Sequence, residues 1–224
     1  MAIPGPDRSR PRVVLAERVI RKIAHGALLY PDEETAEALV GLIIPTENGE
    51  PDFYVLDTIA PEQHAVNRAG YMVEQGDELQ DEIMYWLAIN WKRFRDLRRQ
   101  SYGNALAAKW DAPLRYLGDW HKQPGEMFWP SQGDLETARA IIDEAGNDMP
   151  QIIVPIVTLA PPWDAESGPP GDEFDLYTTQ PDGPPVRINI WYLRRDLPEF
   201  IAARPQVMAD DLLPARAIAS NLFQ

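Results

Sequence analysis

The chain has 224 residues, of which 45% are hydrophobic and 25% charged; this is the span and balance of one globular domain with a sizeable core, and it excludes a mostly disordered chain. A formal charge of -14 and an isoelectric point near 4.6 repel phosphate backbones and exclude a nucleic-acid partner held by basic residues. There is no cysteine, which excludes disulfides and thiolate metal sites, so any metal must sit on His, Asp, Glu or Gln.

Residues 1–11 are rich in Pro and Arg and read as a disordered tail, with no apolar stretch behind them of signal-peptide length. No window approaches a membrane span, so a cytoplasmic protein without a membrane partner is expected. Residues 12–224 read as a single domain.

Over residues 11–29 the positions Leu15, Val19, Ile20, Ile23, Ala27 and Leu28 recur at helical spacing and Pro31 closes the run, which predicts a first helix. Residues 34–44 alternate and then turn continuously apolar (LVGLII), as a strand covered on both faces does. FYVLDTI, residues 53–59, reads as its hairpin partner across a turn-rich link. A second helix is predicted over 78–99, opened by a capping box of Asp77 and Gln80, with Leu79, Ile83, Leu87, Trp91 and Phe94 as its buried stripe. Its basic end, KRFRDLRR, complements the helix dipole and reads as a solvated terminus.

PLRYLGDW, residues 113–120, reads as a strand, and residues 134–145 as a third helix. IIVPIVTL follows as a strand in which Pro155 suggests an edge or a bulge. A Pro/Gly-rich insertion fills residues 161–185 with a short strand, FDLYTT, inside it; VRINIWYL then closes the sheet, and LLPARAIASNLF reads as a terminal helix. The expected class is α/β (α+β): a central mixed sheet flanked by helices.

Three histidines exist, at 25, 64 and 121. His121 opens the most unusual stretch, GDWHKQPGEMFWPSQGDLETA. At a strand end, residues 121 and 123 face the same side, and Asp134 in the first turn of the next helix can reach the same point. Imidazole plus carboxylate is a partial shell for Zn²⁺. Taken singly, each residue has a plainer reading: Ser131 caps the helix, His121 is a hydrogen-bonded structural histidine, and Glu34 is a strand-edge charge.

Together they resemble the JAMM signature of the JAB/MPN metalloprotease family, in which an upstream glutamate is combined with H-x-H, seven residues, Ser, two residues and Asp. His121, position 123, Ser131 and Asp134 match that spacing, and Pro124-Gly125, Pro130 and the flanking GDWH resemble the family as well. Glu34-Thr35, with Gly41 seven residues past the glutamate, resembles its E-x-x-x-x-L-x-G strand; the choice of Glu34 over Asp32, Glu33 and Glu37 follows from the position of Gly41. The departure is Gln123, where the family has its second metal-binding histidine. A neutral amide oxygen is a poorer Zn²⁺ donor than imidazole, so weaker zinc binding is expected.

The resemblance implies a cytidine-deaminase-like MPN fold. It implies a zinc metalloisopeptidase in which His121 and Asp134 hold Zn²⁺ with Gln123 as a weak third ligand, Glu34 is the general base and Ser131 the oxyanion donor. Phe128 and Trp129, in the loop before Ser131, become candidates to contact the substrate. The implied substrate is the C-terminal tail of a ubiquitin-like protein or its conjugate, laid along a sheet edge, in a bacterial pathway with activating and conjugating enzymes. Two other readings stand beside it: an inactive MPN scaffold that binds a protein partner, and a JAMM-like enzyme that trims sulfur-carrier or phage-tail proteins.

Overall fold

The structure is a computed structural model that describes residues 10–47, 49–62, 67–69, 72–74, 78–107, 110–145, 148–160, 172–179 and 183–210. The first segment is not one helix. It divides into β1 (Arg12–Ala16) and α1 (Glu17–Leu29). The run RVVLA is too short to show a period of its own, and its β-branched valines favour an extended backbone once strands flank it. β1 lies parallel to β3 (Asp52–Ile59) on one side and to β11 (Arg204–Met208) on the other.

β2 (Ala36–Ile44) and β3 form the expected antiparallel hairpin. Its register shifts between Val40 and Gly41, and a side chain at Gly41 would collide with the Tyr54 carbonyl and the Leu117 side chain. A short hairpin of β4 (Asn67–Ala69) and β5 (Met72–Glu74) precedes α2 (Glu78–Ala107). Leu87 and Trp91 are buried, and the Trp91 indole donates to the Ala112 carbonyl at 2.7 Å. Leu79, expected in the stripe, is instead exposed. Asp77 of the expected capping box lies outside the described residues. The basic end of α2 binds its own chain, with Arg95 and Arg99 both bridging to Asp111.

The remaining elements are β6 (Arg115–Lys122), α3 (Gln132–Asp143), β7 (Gln151–Leu159), β8 (Asp175–Thr178), β9 (Val186–Arg194) and β10 (Ile201–Ala202). The expected terminal helix at 212–223 and residues 161–171 and 180–182 of the insertion lie outside the described residues. The sheet runs β10-β9-β7-β6-β2-β3-β1-β11, with β8 also on β9. β10 and β11 are consecutive in the chain yet pair with opposite ends of this order. Between them, Ala203 donates its N–H to the Ile190 carbonyl at 2.8 Å. The mixed sheet therefore curls into a nearly closed barrel flanked by helices.

β7 is an interior strand, contrary to the edge or bulge that Pro155 suggests. It pairs with β9 along its whole length without a shift, while its parallel register with β6 involves Ile156 and Val157, past the proline. The missing N–H of Pro155 thus costs no registered pair with β6. Side chains of β7 alternate between two cores. Ile153 and Val157 join the main cluster with Val19, Ile23 and Ala27 of α1, and Ile152, Val154 and Ile156 join a second cluster with Ala138 and Ile142 of α3. Burial on both faces is why this strand reads as an unbroken apolar run. Among the described residues no helix is long and apolar enough to cross a membrane.

Candidate active site

The end of β6 is held from both sides. On the β2 side, Ala36 is in register with His121, and the Lys122 N–H donates to the Thr35 carbonyl at 2.8 Å. Glu34, just before Thr35, is buried beside this strand end. On the β7 side, His121 and Lys122 are in register with Ile156 and Val157, and the Gln123 N–H donates to the Val157 carbonyl at 2.9 Å. β6 comes so close to β7 at Gly118, whose φ is +137°, that a side chain there would collide with the Ile153 carbonyl. Alternation turns His121 and Gln123 toward the α3 face, with Ile156. Trp120 turns the other way, onto Gly26 of α1.

α3 supplies the third element. Ser131 is its N-cap: Oγ accepts from the Asp134 N–H at 3.2 Å, and Oδ2 of Asp134 accepts from the Ser131 N–H at 2.5 Å. This capping box pins the Asp134 carboxylate back toward the strand end. There Oδ1 lies 3.3 Å from His121 Nε2, and Gln123 Nε2 donates to Oδ2 at 3.2 Å while lying 3.3 Å from His121 Nε2. Two side chains of one strand end and one from the first turn of α3 thus meet at one point. Ser131 is the cap that the plainer reading gives it; a hydroxyl that accepts still carries a proton to donate, so capping does not preclude an oxyanion role.

Burial shapes the charges. It pushes the Glu34 carboxyl up to about 7, the Asp134 charge adds to the rise, and Lys122 opposes it. Burial lowers the His121 pKa while the Asp134 charge acts against that, so the imidazole is held toward its neutral form. Lys122 is only 1% exposed, and its Nζ donates to the Pro31 carbonyl at 2.6 Å. Burial lowers its pKa, and the charges of Asp32, Glu34 and Glu33 resist. Lys122 thereby ties the loop that carries Glu34 to β6. Sequence reasoning overlooked it; its signal is a lysine between His121 and Gln123, on a strand with no solvent face.

The donors present suit a divalent cation. His121 Nε2 and the Asp134 carboxylate converge, and Gln123 is 3% exposed with an Oε1 that has no hydrogen-bond partner among the described residues. A half-turn of the amide would aim that oxygen at the same point and complete three donors from three residues. The described residues contain no group of three or more His, Asp or Glu side chains that could hold a metal ion; beside His121 and Asp134, the further side chain at this point is the Gln123 amide. His25 is exposed on α1 and does not approach the site; His64 lies outside the described residues.

Phe128 and Trp129 sit on the loop that joins β6 to α3. Their rings meet edge to face at 4.9 Å, and Trp129 is 51% exposed. Phe128 is fixed by the Trp191 indole, which donates to its carbonyl at 2.8 Å, and by the Arg187 guanidinium, 3.7 Å above its ring. Beside it opens a cavity of about 220 Å³ lined by Phe128, Tyr177, Arg187, Thr158 and Glu126. That volume suits one side chain of a larger partner better than a whole small-molecule ligand.

No protein-family model matches the chain, and no curated protein matches it. Among solved structures, the solution structure of protein DSY2949 from Desulfitobacterium hafniense is similar to it at 14% identity, over 88% of this chain and 93% of that one, with a TM-score of 0.43. A likeness at that level transfers neither fold family nor function to the chain.

Proposed function

We propose that the chain is a JAMM-like metalloisopeptidase of cytidine-deaminase-like MPN fold, acting in the cytoplasm on the C-terminal tail of a ubiquitin-like protein or its conjugate. The observation that carries this reading is the meeting of His121, Gln123 and Asp134 at one point, with buried Glu34 near enough for the Asp134 charge to act on its carboxyl.

His121 Nε2, the Asp134 carboxylate and Gln123 Oε1 would hold the cation, zinc in the family that the sequence resembles. Bound there, it would polarise the scissile carbonyl and lower the pKa of a water. Glu34, with its carboxyl near 7, takes the proton of the attacking water and returns it to the leaving amine as the C–N bond breaks. Ser131 donates a hydrogen bond from its hydroxyl to the oxyanion that develops at the scissile carbonyl. Lys122 keeps the Glu34 loop against β6, and Phe128 and Trp129 flank the approach of the peptide.

The test is cleavage of a ubiquitin-like fusion by the zinc-loaded chain, with Glu34→Gln as control. Cleavage that this substitution removes supports the reading; a zinc-loaded chain that leaves the fusion intact overturns it. One observation favours a second reading, a non-hydrolytic scaffold: the Gln123 amide nitrogen spans His121 and Asp134. In that case Gln123→His recruits zinc and creates cleavage that the natural chain lacks.

A further inference from the structure

We infer that Gln123 is a two-position ligand, bridging His121 and Asp134 through its amide nitrogen when no cation is bound and turning its amide oxygen onto the cation when one is. The consequence is a centre whose preference for Zn²⁺ over a harder ion such as Mn²⁺ is narrower than that of a two-histidine centre. The inference rests on the reading of this corner as a metal centre.

The geometry behind it is asymmetric. One end of the amide, Nε2, is within hydrogen-bonding reach of both His121 Nε2 and Asp134 Oδ2, at 3.3 and 3.2 Å, while the other end, Oε1, is buried with no partner among the described residues. A buried carbonyl oxygen left without a partner is unfavourable, so this orientation persists because of what the nitrogen gains. The Asp134 carboxylate is an acceptor, as is His121 Nε2 in the tautomer that carries its proton on Nδ1, and an amide N–H donor beside them is favourable where a carbonyl oxygen would be repelled. A cation at the same point reverses that preference. The terminal amide torsion is broad and roughly two-fold, so a half-turn exchanges nitrogen and oxygen without displacing the backbone that Val157 holds.

The donor chemistry sets the selectivity. Imidazole favours Zn²⁺ and the later transition metals, while carboxylate and carbonyl oxygens also suit Mn²⁺ and Mg²⁺. Exchanging one imidazole for an amide oxygen hardens the set. Zn²⁺ still binds more tightly in absolute terms, because affinity at such a site rises along the series from Mn²⁺; the change is in the ratio.

Calorimetric titration of the metal-free full-length chain with ZnCl₂ and with MnCl₂ tests this, comparing wild type, Gln123→His and Gln123→Leu. The histidine variant is expected to tighten Zn²⁺ by at least about tenfold and Mn²⁺ by much less, and the leucine variant to weaken both ions by at least about tenfold against wild type. A wild-type measurement covers the case in which a variant fails to fold. In ¹⁵N-labelled protein the Gln123 side-chain amide protons are expected to show contacts to the His121 ring only before Zn²⁺ is added. A leucine variant that holds both ions as tightly as wild type, a wild type that binds neither ion, or amide protons that stay against His121 in the Zn²⁺ complex would each overturn the inference. The expected metal shifts without any cleavage of a ubiquitin-like fusion would remove the hydrolase reading and leave this one standing.

Discussion

Two carboxylates in this molecule are handled in opposite ways. Asp175 on β8 has a side chain 5% exposed; Arg187 of β9 pairs with it at 2.6 Å, and the Asn189 amide nitrogen donates to it. Burial pushes the Asp175 carboxyl up, but the bonds from Asn189, Arg187 and the Asp172 backbone outweigh that and hold it below its ordinary value. At the β6–α3 corner, Gln123 approaches Asp134 as Asn189 approaches Asp175, nitrogen first, and in both amides the oxygen has no hydrogen-bond partner among the described residues. The difference is the cation. Asp175 has a guanidinium from its own chain, whereas among the described residues Asp134 has an ion pair only with an imidazole that burial holds toward neutrality. One arrangement is electrostatically closed and structural; the other still has negative charge to offer.

The largest effect that separates them falls on chemistry. Glu34→Gln is expected to lower kcat/KM for a ubiquitin-like fusion by about 10⁴-fold, equivalent to about 5.5 kcal/mol of transition-state stabilisation, with no loss in the melting temperature. Steady-state kinetics beside a melting curve check this, and a large loss of stability would move Glu34 into the structural class. Next in size is Asp175→Ala, which leaves the partly buried Arg187 without its carboxylate partner and should lower unfolding stability by about 1–3 kcal/mol in a denaturant titration. A loss under 1 kcal/mol would mean that this cluster does not hold β8 to β9.

Much of the corner could be read from the sequence because most of it is local. His121, Gln123, Ser131 and Asp134 lie on one strand end, one loop and one capped turn, and the rules for each are short-range. Glu34 is distant, yet Gly41 marks its register, for the physical reason that a side chain there has no room beside Tyr54. What escaped depends on partners far along the chain. β1 is a strand because β3 and β11 flank it, and the two residues of β10 are too few for any pattern. Pro155 misled because a proline's missing N–H matters only if a neighbour needs it. The role of Lys122 depends on the Pro31 carbonyl, 91 positions away in the chain.

A smaller effect comes from the cap that both clusters' logic predicts to be dispensable for β8 but not for the corner. Ser131→Ala should lower stability by about 1 kcal/mol through the lost N-cap. It should lower kcat by about 10²-fold through loss of the hydroxyl donor. Ser131→Thr, which keeps a capping hydroxyl, is expected to recover the stability; if it recovers none, the capping box is not what holds Asp134 in place.

The smallest and sharpest contrast is in pH. For the metal-free chain, the folded-state pKa of Glu34 is raised from 4.5 to about 7, so the folded state binds this proton more tightly than the unfolded state does. Its contribution to stability is therefore fully present below about pH 4.5 and is lost as the pH rises through about 7. Asp175 is depressed below 3.8, so its contribution is present above that value and is lost as the pH falls through the lower, folded-state pKa. The two carboxylates thus give slopes of opposite sign in separate windows. Glu34→Gln should flatten the unfolding free energy between pH 4.5 and 7 without altering the acid limb, and Asp175→Asn should do the reverse. If Glu34→Gln leaves the upper window unchanged, Glu34 is already ionised at pH 5 and the low-dielectric corner that makes it a base near neutrality does not exist.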